Sequence, residues 1–510
     1  MFHRAFAIVT IVALALCSVI ASGATDASNP VRLEDYLVEF HKDPKRVMNA
    51  PLAKFDSKGR RLKVDQNPIG SFDAKDEARF RDRLELREKI CMDSSGRPCP
   101  KPRDSRFAAP TEANQINSFV YNPNVNKNLI SMEQAGQVQA AVPNAPWSDS
   151  YWPMKFGLLG RRWMDKKFPS SDVWLDNYNY YLAHPTSSLP VNQLSPAEKY
   201  DLLMGDGGLS LTTSQWGSGK FHQDKKGSVP SWAGLCHGWS PASIMVPTPQ
   251  KTVNAIAPNG QTIPFYPSDI KALAALSWGE ASPRKRFVGT RCETAHPKED
   301  EVGRVVNEGC FDVNPGTWHM AVVHQISTMK RSFVMDATYD LQVWNYPVYS
   351  YKYTYFNPQT LATSTTLAGA AVKTTDFTID KFRTYRSPLA KYVVGIAMDV
   401  AYSTPTQPSV KPIPVPLFHT VKYVYDLEID ESGTILGGEW YSNFHPDFLW
   451  NPLPDSHPLS TGELVMPVPV PWDGNGVVPP ELRQAASLSS RRGQPVSVVV
   501  EALVQRSIAP

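Results

Sequence analysis

Residues 230–245 read PSWAGLCHGWSPASIM. Gly234 and Gly238 flank Cys236 closely, so the backbone can come near a substrate at this point. Past the thiol the segment turns helix-like. A thiol at or just before a helix start feels the positive potential of the first amides, which lowers its pKa and favours the nucleophilic thiolate. Pro241 fits best in the first turn of a helix, which places Cys236 in the turn leading in. On these residues alone a small buried core cysteine is as good a reading. Cysteine usage over the rest of the chain separates the two.

The chain opens MFHRAFAIVTIVALALCSVIASGA (1–24). One Arg precedes an unbroken apolar run, and Ser22 and Ala24 sit where a signal peptidase reads small residues. A membrane anchor is the alternative, but the run is short and ends without a stop-transfer charge cluster. The expectation is a signal peptide over 1–24, a protein secreted to the extracellular space or periplasm, and no membrane association after cleavage. Six Cys less Cys17 leaves Cys91, Cys99, Cys236, Cys292 and Cys310. An odd number leaves one thiol unpaired in a monomer. Cys91 and Cys99 lie close across CMDSSGRPC, and Cys292 and Cys310 flank a polar loop. Both pairs read as local staples in an oxidising compartment. Four half-cystines allow other pairings, but this spacing singles out Cys236 as the free thiol. No Asn-x-Ser/Thr sequon occurs, so N-glycans are not expected.

Composition sets the outer limits. The 510 residues include 13 Trp, 20 Tyr and 21 Phe, which disordered chains lack. The 45 Pro point to many loops and extended stretches rather than a helical bundle. A net charge of +3 without a basic stripe does not steer the chain to nucleic acid.

Along the chain, residues 25–144 form an irregular N-terminal region, open to three readings: a removable pro-region, a targeting module or a permanent domain. It holds one helix candidate at 73–90, with Glu77–Arg81 and Glu85–Lys89 at i,i+4 spacing. Residues 145–464, where aromatic density rises, read as the main domain and 465–510 as a Pro-rich tail. SPAEKYDLLMG opens with Ser195 as cap, Pro196 at the first helical position and Glu198 at the third, and stops at Gly205. SDIKALAALSWG repeats the pattern from Ser268 to Gly279. TWHMAVVHQIS and SFVMDAT read as strands around a turn near Ser327–Lys330, and Val421, Tyr423, Tyr425, Leu427 and Ile429 alternate as in a further strand. Helices early and strands late predict an α+β architecture.

A thiol nucleophile needs a base and a group that orients it. If the two strands form a hairpin with an even connection, His319 lies opposite or diagonal to Asp336, at hydrogen-bonding distance, and His324 points to the other face. A bulge in the turn reverses this. The bland readings are a core histidine at His319 and a turn residue at Asp336. His237, next to the thiol, points about 100° away on a helix and is a poor base for it. Trp232, Trp239 and Trp318 are core residues or walls that exclude water. The Cys236 backbone N–H is the oxyanion donor this placement offers. No HExxH and no EF-hand loop is present, which leaves open a calcium site built from scattered carboxylates.

Seven segments then stand in one order: APWSDSYWP (145–153), LSPAEKY (194–200), PSWAGLCHGWSPASIM (230–245), FYPSDIKAL (265–273), FDVNPGTWHMAVV (311–323), FVMDATYDLQVWNYPV (333–348) and LEIDESGTILGGEW with HPDFLWNP (427–452). On these the sequence resembles the transglutaminase-elicitor family, secreted calcium-dependent transglutaminases of oomycete plant pathogens with relatives in bacteria. The resemblance implies a papain-like core, with the thiol on a helix packed against an antiparallel sheet. It implies a catalytic triad of Cys236, His319 and Asp336. It also implies cross-linking of protein Gln to Lys or other amines through a Cys thioester, by a monomer. A papain-like cysteine peptidase is the alternative, and a non-enzymatic interaction protein the second. Two departures stand out. The surface peptide that plants perceive in this family begins V-W-N-Q-P-V-R-G-F, whereas Tyr346, Tyr349 and Ser350 replace its Gln, Arg and Gly. Residues 206–229 hold no Cys where the family has a cysteine-rich stretch, so calcium dependence is implied only weakly.

Overall fold

Phe418–Ile429 alternates as the sequence predicts and forms a long strand whose two neighbours share its twelve-residue reach or cap its end. The computed structural model describes residues 32–62, 116–121, 124–281, 283–290, 292, 297–307, 310, 312–337, 343–413, 415–465 and 470–510. The segment 1–24, the helix candidate at 73–90, and Cys91 and Cys99 lie outside the described residues. Seven strands make the main path of an eleven-stranded antiparallel sheet among the described residues. They are β1 (Lys54–Asp56), β2 (Lys285–Gly289), β3 (Val334–Asp336), β4 (Asn345–Phe356), β5 (Tyr392–Ser403), β6 (Phe418–Ile429) and β7 (Phe448–Pro452), in the spatial order β1-β6-β5-β4-β3-β7-β2. The mixture of helices with an antiparallel sheet agrees with the α+β expectation. No helix among the described residues is long and apolar enough to cross a membrane.

Two apolar cores flank the thiol. One lies on the sheet, where Trp318, Tyr353, Tyr423 and Trp440 pack with Ile396 and Met398. The other lies among helices, where Trp239, Leu273, Leu276 and Leu503 meet. Tyr346 on β4 packs against both.

The helix Pro196–Met204 has the predicted capping box, Ser195 with Glu198, and ends at Gly205 in the left-handed region with φ 69°. The helix from 267 differs from its reading. It starts at Pro267, one residue before the expected cap Ser268, with the Tyr266 N–H donated to Asp269 at 2.9 Å. It also runs through Gly279 to Glu280, so Gly279 is no terminator. It serves a crossing with the thiol helix, Cys236–Met245. A Cβ on Gly238 would lie 2.1 Å from the Ala275 carbonyl oxygen and 3.0 Å from the Gly279 Cα. Gly238 therefore brings two helices together and does not bring backbone to a substrate. Because the obstacle is backbone, Gly238→Ala is expected to destabilise the protein by roughly 1–3 kcal/mol or more. An unchanged urea midpoint would contradict that reading.

TWHMAVVHQIS is not a strand. The Asn314 side chain accepts the Gly316 N–H at 2.8 Å, Pro315 occupies the first turn, and a helix runs Pro315–Val322 before a wider π-type turn over Val323–Thr328. The segment is buried on every side, so its run of apolar residues carries no face to distinguish helix from strand. SFVMDAT does contain β3, but Asp336 pairs with Asn345 of β4, and the expected His319–Asp336 hairpin does not form.

The described residues from 32 and those up to 510 are both built into the fold. Phe40, on the helix Leu33–Lys42, stacks on Tyr441 at 4.5 Å, the Tyr36 hydroxyl donates to the Tyr441 carbonyl at 2.6 Å, and β1 extends the sheet beside β6. Beyond 465 lie two helices, Pro480–Ser489 and Ser497–Ile508, whose Leu482, Ala485, Val499 and Leu503 enter the helical core. Residues 480–508 of the tail are thus packed on the helical core.

Candidate active site

The segment APWSDSYWP shapes the loop that leads to the thiol. The Leu235 N–H donates to the Tyr151 carbonyl at 2.6 Å and the Met154 N–H to the Ala233 carbonyl at 2.8 Å. A Cβ on Gly234 would lie 2.7 Å from the Tyr151 ring and 2.8 Å from its carbonyl oxygen. Only a glycine fits between them. The helix then begins at Cys236 itself, with Pro241 inside it rather than in its first turn.

Cys236 is 5% exposed and unpaired. Its sulfur lies 3.6 Å from the Val343 carbonyl oxygen, to which the S–H donates, and 3.7 Å from the Asn345 side-chain nitrogen. The backbone N–H groups of Asn345 and His237 also point at it. Burial pushes the thiol above its ordinary pKa, the Asn345 donors pull it down, and the negative charge of Asp336 pushes it up again. The net direction is upward, so the resting group is a thiol that needs a base nearby.

Asp336 supplies a carboxylate there. It is fully buried at the end of β3, and its Oδ1 accepts the Trp344 N–H at 2.9 Å. A second buried carboxyl, Asp312, lies within its electrostatic reach. Burial and then the charge of Asp336 push the Asp312 pKa well up. Behind Asp312, His445 Nδ1 stands 3.8 Å from its Oδ2, and the ring stacks on Trp440 at 4.7 Å. Burial drives the His445 pKa down to about 3, so its imidazole is neutral.

His319 is elsewhere. Its Nδ1 is 2.9 Å from the Tyr425 hydroxyl, its ring meets Tyr353 edge-on at 4.9 Å, and burial takes its pKa down to about 3. Among the described residues no hydrogen bond or charge interaction joins it to Cys236 or Asp336. The helix that replaces the expected strand is the reason, since it turns the imidazole into the sheet core. His324 is buried in the turn that follows. Of the three residues of the expected triad, the structure brings together Cys236 and Asp336 and leaves His319 apart.

The expected aromatic walls also differ. Trp239 and Trp318 are fully buried core residues, the first donating to the Trp147 carbonyl at 3.2 Å. The rings beside the thiol are Tyr151, Trp344 and Tyr346. Tyr151 and Tyr346 both feel the charge of Cys236, Tyr151 meets Trp344 edge-on at 5.5 Å, and Trp344 stacks with Tyr346 at 6.2 Å. Val343-Trp344-Asn345, which the resemblance assigns to a surface peptide, therefore lines the thiol site. Asn345 and Val348 are buried. Asp312, Asn345 and Tyr151 are the site residues that sequence reasoning passed over, although each stands inside a quoted segment.

The expected Cys292–Cys310 disulfide is present. Among the described residues, no group of three or more His, Cys, Asp or Glu side chains is placed to hold a metal. No step below runs through a metal.

No curated protein matches the chain significantly. The chain resembles, in its fold, the crystal structure of the GP42 transglutaminase from Phytophthora sojae, with 20% sequence identity and a TM-score of 0.43 over 64% of this chain and 86% of that one. Residues 119–466 match the family described as transglutaminase elicitor. That match spans more than half of the sequence, and the chain belongs to the transglutaminase elicitor family.

Proposed function

We propose that the protein is an exported protein-glutamine γ-glutamyltransferase, with Cys236 as nucleophile and Asp336 as its proton carrier. The observation that carries this reading is the buried thiol, free among the described residues, at a helix start, ringed by N–H donors and within the electrostatic reach of the buried Asp336 carboxyl. The Asp336 carboxylate takes the thiol proton. The thiolate attacks the γ-carboxamide carbon of a protein Gln, and the negative charge gathers on the amide oxygen beside the Asn345 and His237 N–H groups. The same carboxyl returns the proton to the departing nitrogen, ammonia leaves, and a thioester remains. A Lys amine then attacks the thioester carbon, loses its proton to the carboxylate, and expels the thiolate, which regains a proton. Burial raises the thiol, so the nucleophile depends on a base to take its proton. The apolar rings of Tyr151 and Trp344 limit water at the thioester. Export is supported by the 1–24 segment and by the Cys292–Cys310 bond.

The test offers a fluorescent amine together with casein, with calcium and with a chelator in parallel. A transferase attaches the amine to casein and releases ammonia without new chain ends, and Cys236→Ala does neither. Cleavage of casein with no label attached would replace this reading with the peptidase one.

A further inference from the structure

We propose that Asn345 is a catalytic hydrogen-bond donor, its side-chain amide aimed by Trp450 at the Cys236 sulfur and at the oxyanion that forms beside it. The proposal rests on Cys236 being the nucleophile of the reaction above. The aim follows from which atoms can donate. The Trp450 indole nitrogen is a donor only, and it lies 2.8 Å from Asn345 Oδ1. That bond fixes which end of the amide faces the indole, so the NH₂ end must face the sulfur, 3.7 Å away. The backbone is held as well. The Ser240 hydroxyl, on the thiol helix, donates to the Asn345 carbonyl at 2.7 Å, and Asn345 pairs in register with Asp336 at the start of β4.

Trp450 is itself anchored. It sits on β7 opposite Val334 of β3, is 6% exposed, and packs with Val334 and Phe448. One sheet register therefore places the carboxylate, the amide donor and the indole that turns the donor. In this arrangement Asn345 touches the reacting sulfur, and Trp450 is a positioning residue that acts through it. When the thiolate adds to a carboxamide, the carbonyl π pair moves onto oxygen, and an amide donor beside the sulfur is within reach of that oxygen.

The experiment follows alkylation of Cys236 by iodoacetamide in the full-length protein, read by mass spectrometry across pH ~6 to ~10, with amine incorporation measured on the same samples. Asn345→Ala removes the donor. Its alkylation curve is expected to move up by about one pH unit, which is about tenfold slower labelling at a fixed pH. Trp450→Phe keeps the amide but frees it to turn, so a smaller shift in the same direction is expected. Asn345→Asp puts a second negative charge at the sulfur and shifts the curve furthest. For amine transfer, kcat falls in all three while KM holds.

A merely structural role has the opposite sign. Loosening the site would expose the thiol, relieve the burial that raises its pKa, and speed alkylation at neutral pH. Faster or unchanged alkylation in the Asn345→Ala and Trp450→Phe variants overturns the role of Asn345, whatever the unaltered protein transfers. An unaltered protein that labels no Gln substrate, yet shows the expected ordering among variants, contradicts the transferase reading and leaves the role of Asn345 standing.

Discussion

Asp336→Asn is expected to lower amine incorporation by about 10²–10⁴-fold at neutral pH, the loss that follows removal of a positioned acid–base group. The amide keeps the volume of the carboxyl and still accepts the Trp344 N–H at the position of Oδ1, so the fold should survive. What is lost is a group that can take the thiol proton. Two further effects follow from the same geometry. The charge of Asp336 raises Cys236, so Asp336→Asn lowers the thiol pKa and speeds alkylation while slowing transfer. Loss of that charge also removes one of the causes that push Asp312 up. His319→Gln should behave differently, with transfer per folded molecule within a few-fold of the unaltered protein, since its imidazole bonds to Tyr425 in the sheet core. The comparison is read from initial rates of labelling, normalised to folded protein by circular dichroism. Loss of equal size in His319→Gln, with a normal melting curve, would restore His319 as the base.

The two residues show what a sequence discloses. Cys236 was legible by elimination, because one unpaired thiol remained after the local staples were taken away. Asp336 was named through a hairpin that does not form, and only its strand was legible, in the extended reading of SFVMDAT. His319 was misplaced because 315–328 is apolar on all sides, and a segment without a polar face has no period to read. Pro315 after Asn314 was the available signal, a helix start written in two residues. Asn345 was not legible as a site residue, because sheet register with Asp336 brings it to the thiol over a long separation. Asn345 lies 109 positions from Cys236. Gly238 and Gly279 were read as a substrate approach and a helix stop when both serve one helix crossing, a fact of tertiary contact that no local pattern contains.

Arg386→Met is expected to have the largest effect on stability, about 3–5 kcal/mol, the range for removing one partner of a buried ion pair. The Arg386 side chain is 7% exposed and bridges Asp380 at 3.0 Å, Asp426 at 2.6 Å and Glu428 at 3.4 Å. Asp426 and Glu428 lie on β6, between β1 and β5 in the sheet, and are fully buried. Even with Arg386 present, burial raises Asp426, and it raises Glu428 to about 7. Without the guanidinium both rise further.

The sign of the pH dependence follows from that direction. A carboxyl with a folded pKa above its unfolded value favours the folded state when protonated, and this contribution is lost as pH rises from the unfolded value through the folded one. The deficit of Arg386→Met against the unaltered protein should therefore shrink on acidification from about pH 8 to about pH 5. Urea midpoints at several pH values measure it. A deficit that stays constant over that range would mean that lost packing, rather than stranded carboxylates, sets the cost.

The most direct test of the transferase account is capture of its intermediate. The protein is mixed with a short Gln peptide and no amine, quenched in acid within the first turnovers, and digested, and the fragment that carries Cys236 is weighed. The expected result is a thioester at Cys236 whose added mass equals the peptide less one ammonia, absent in Cys236→Ala and scarce in Asp336→Asn. Amine transferred to Gln while Cys236 stays unmodified in every quenched sample, or transfer that survives Cys236→Ala, would contradict it.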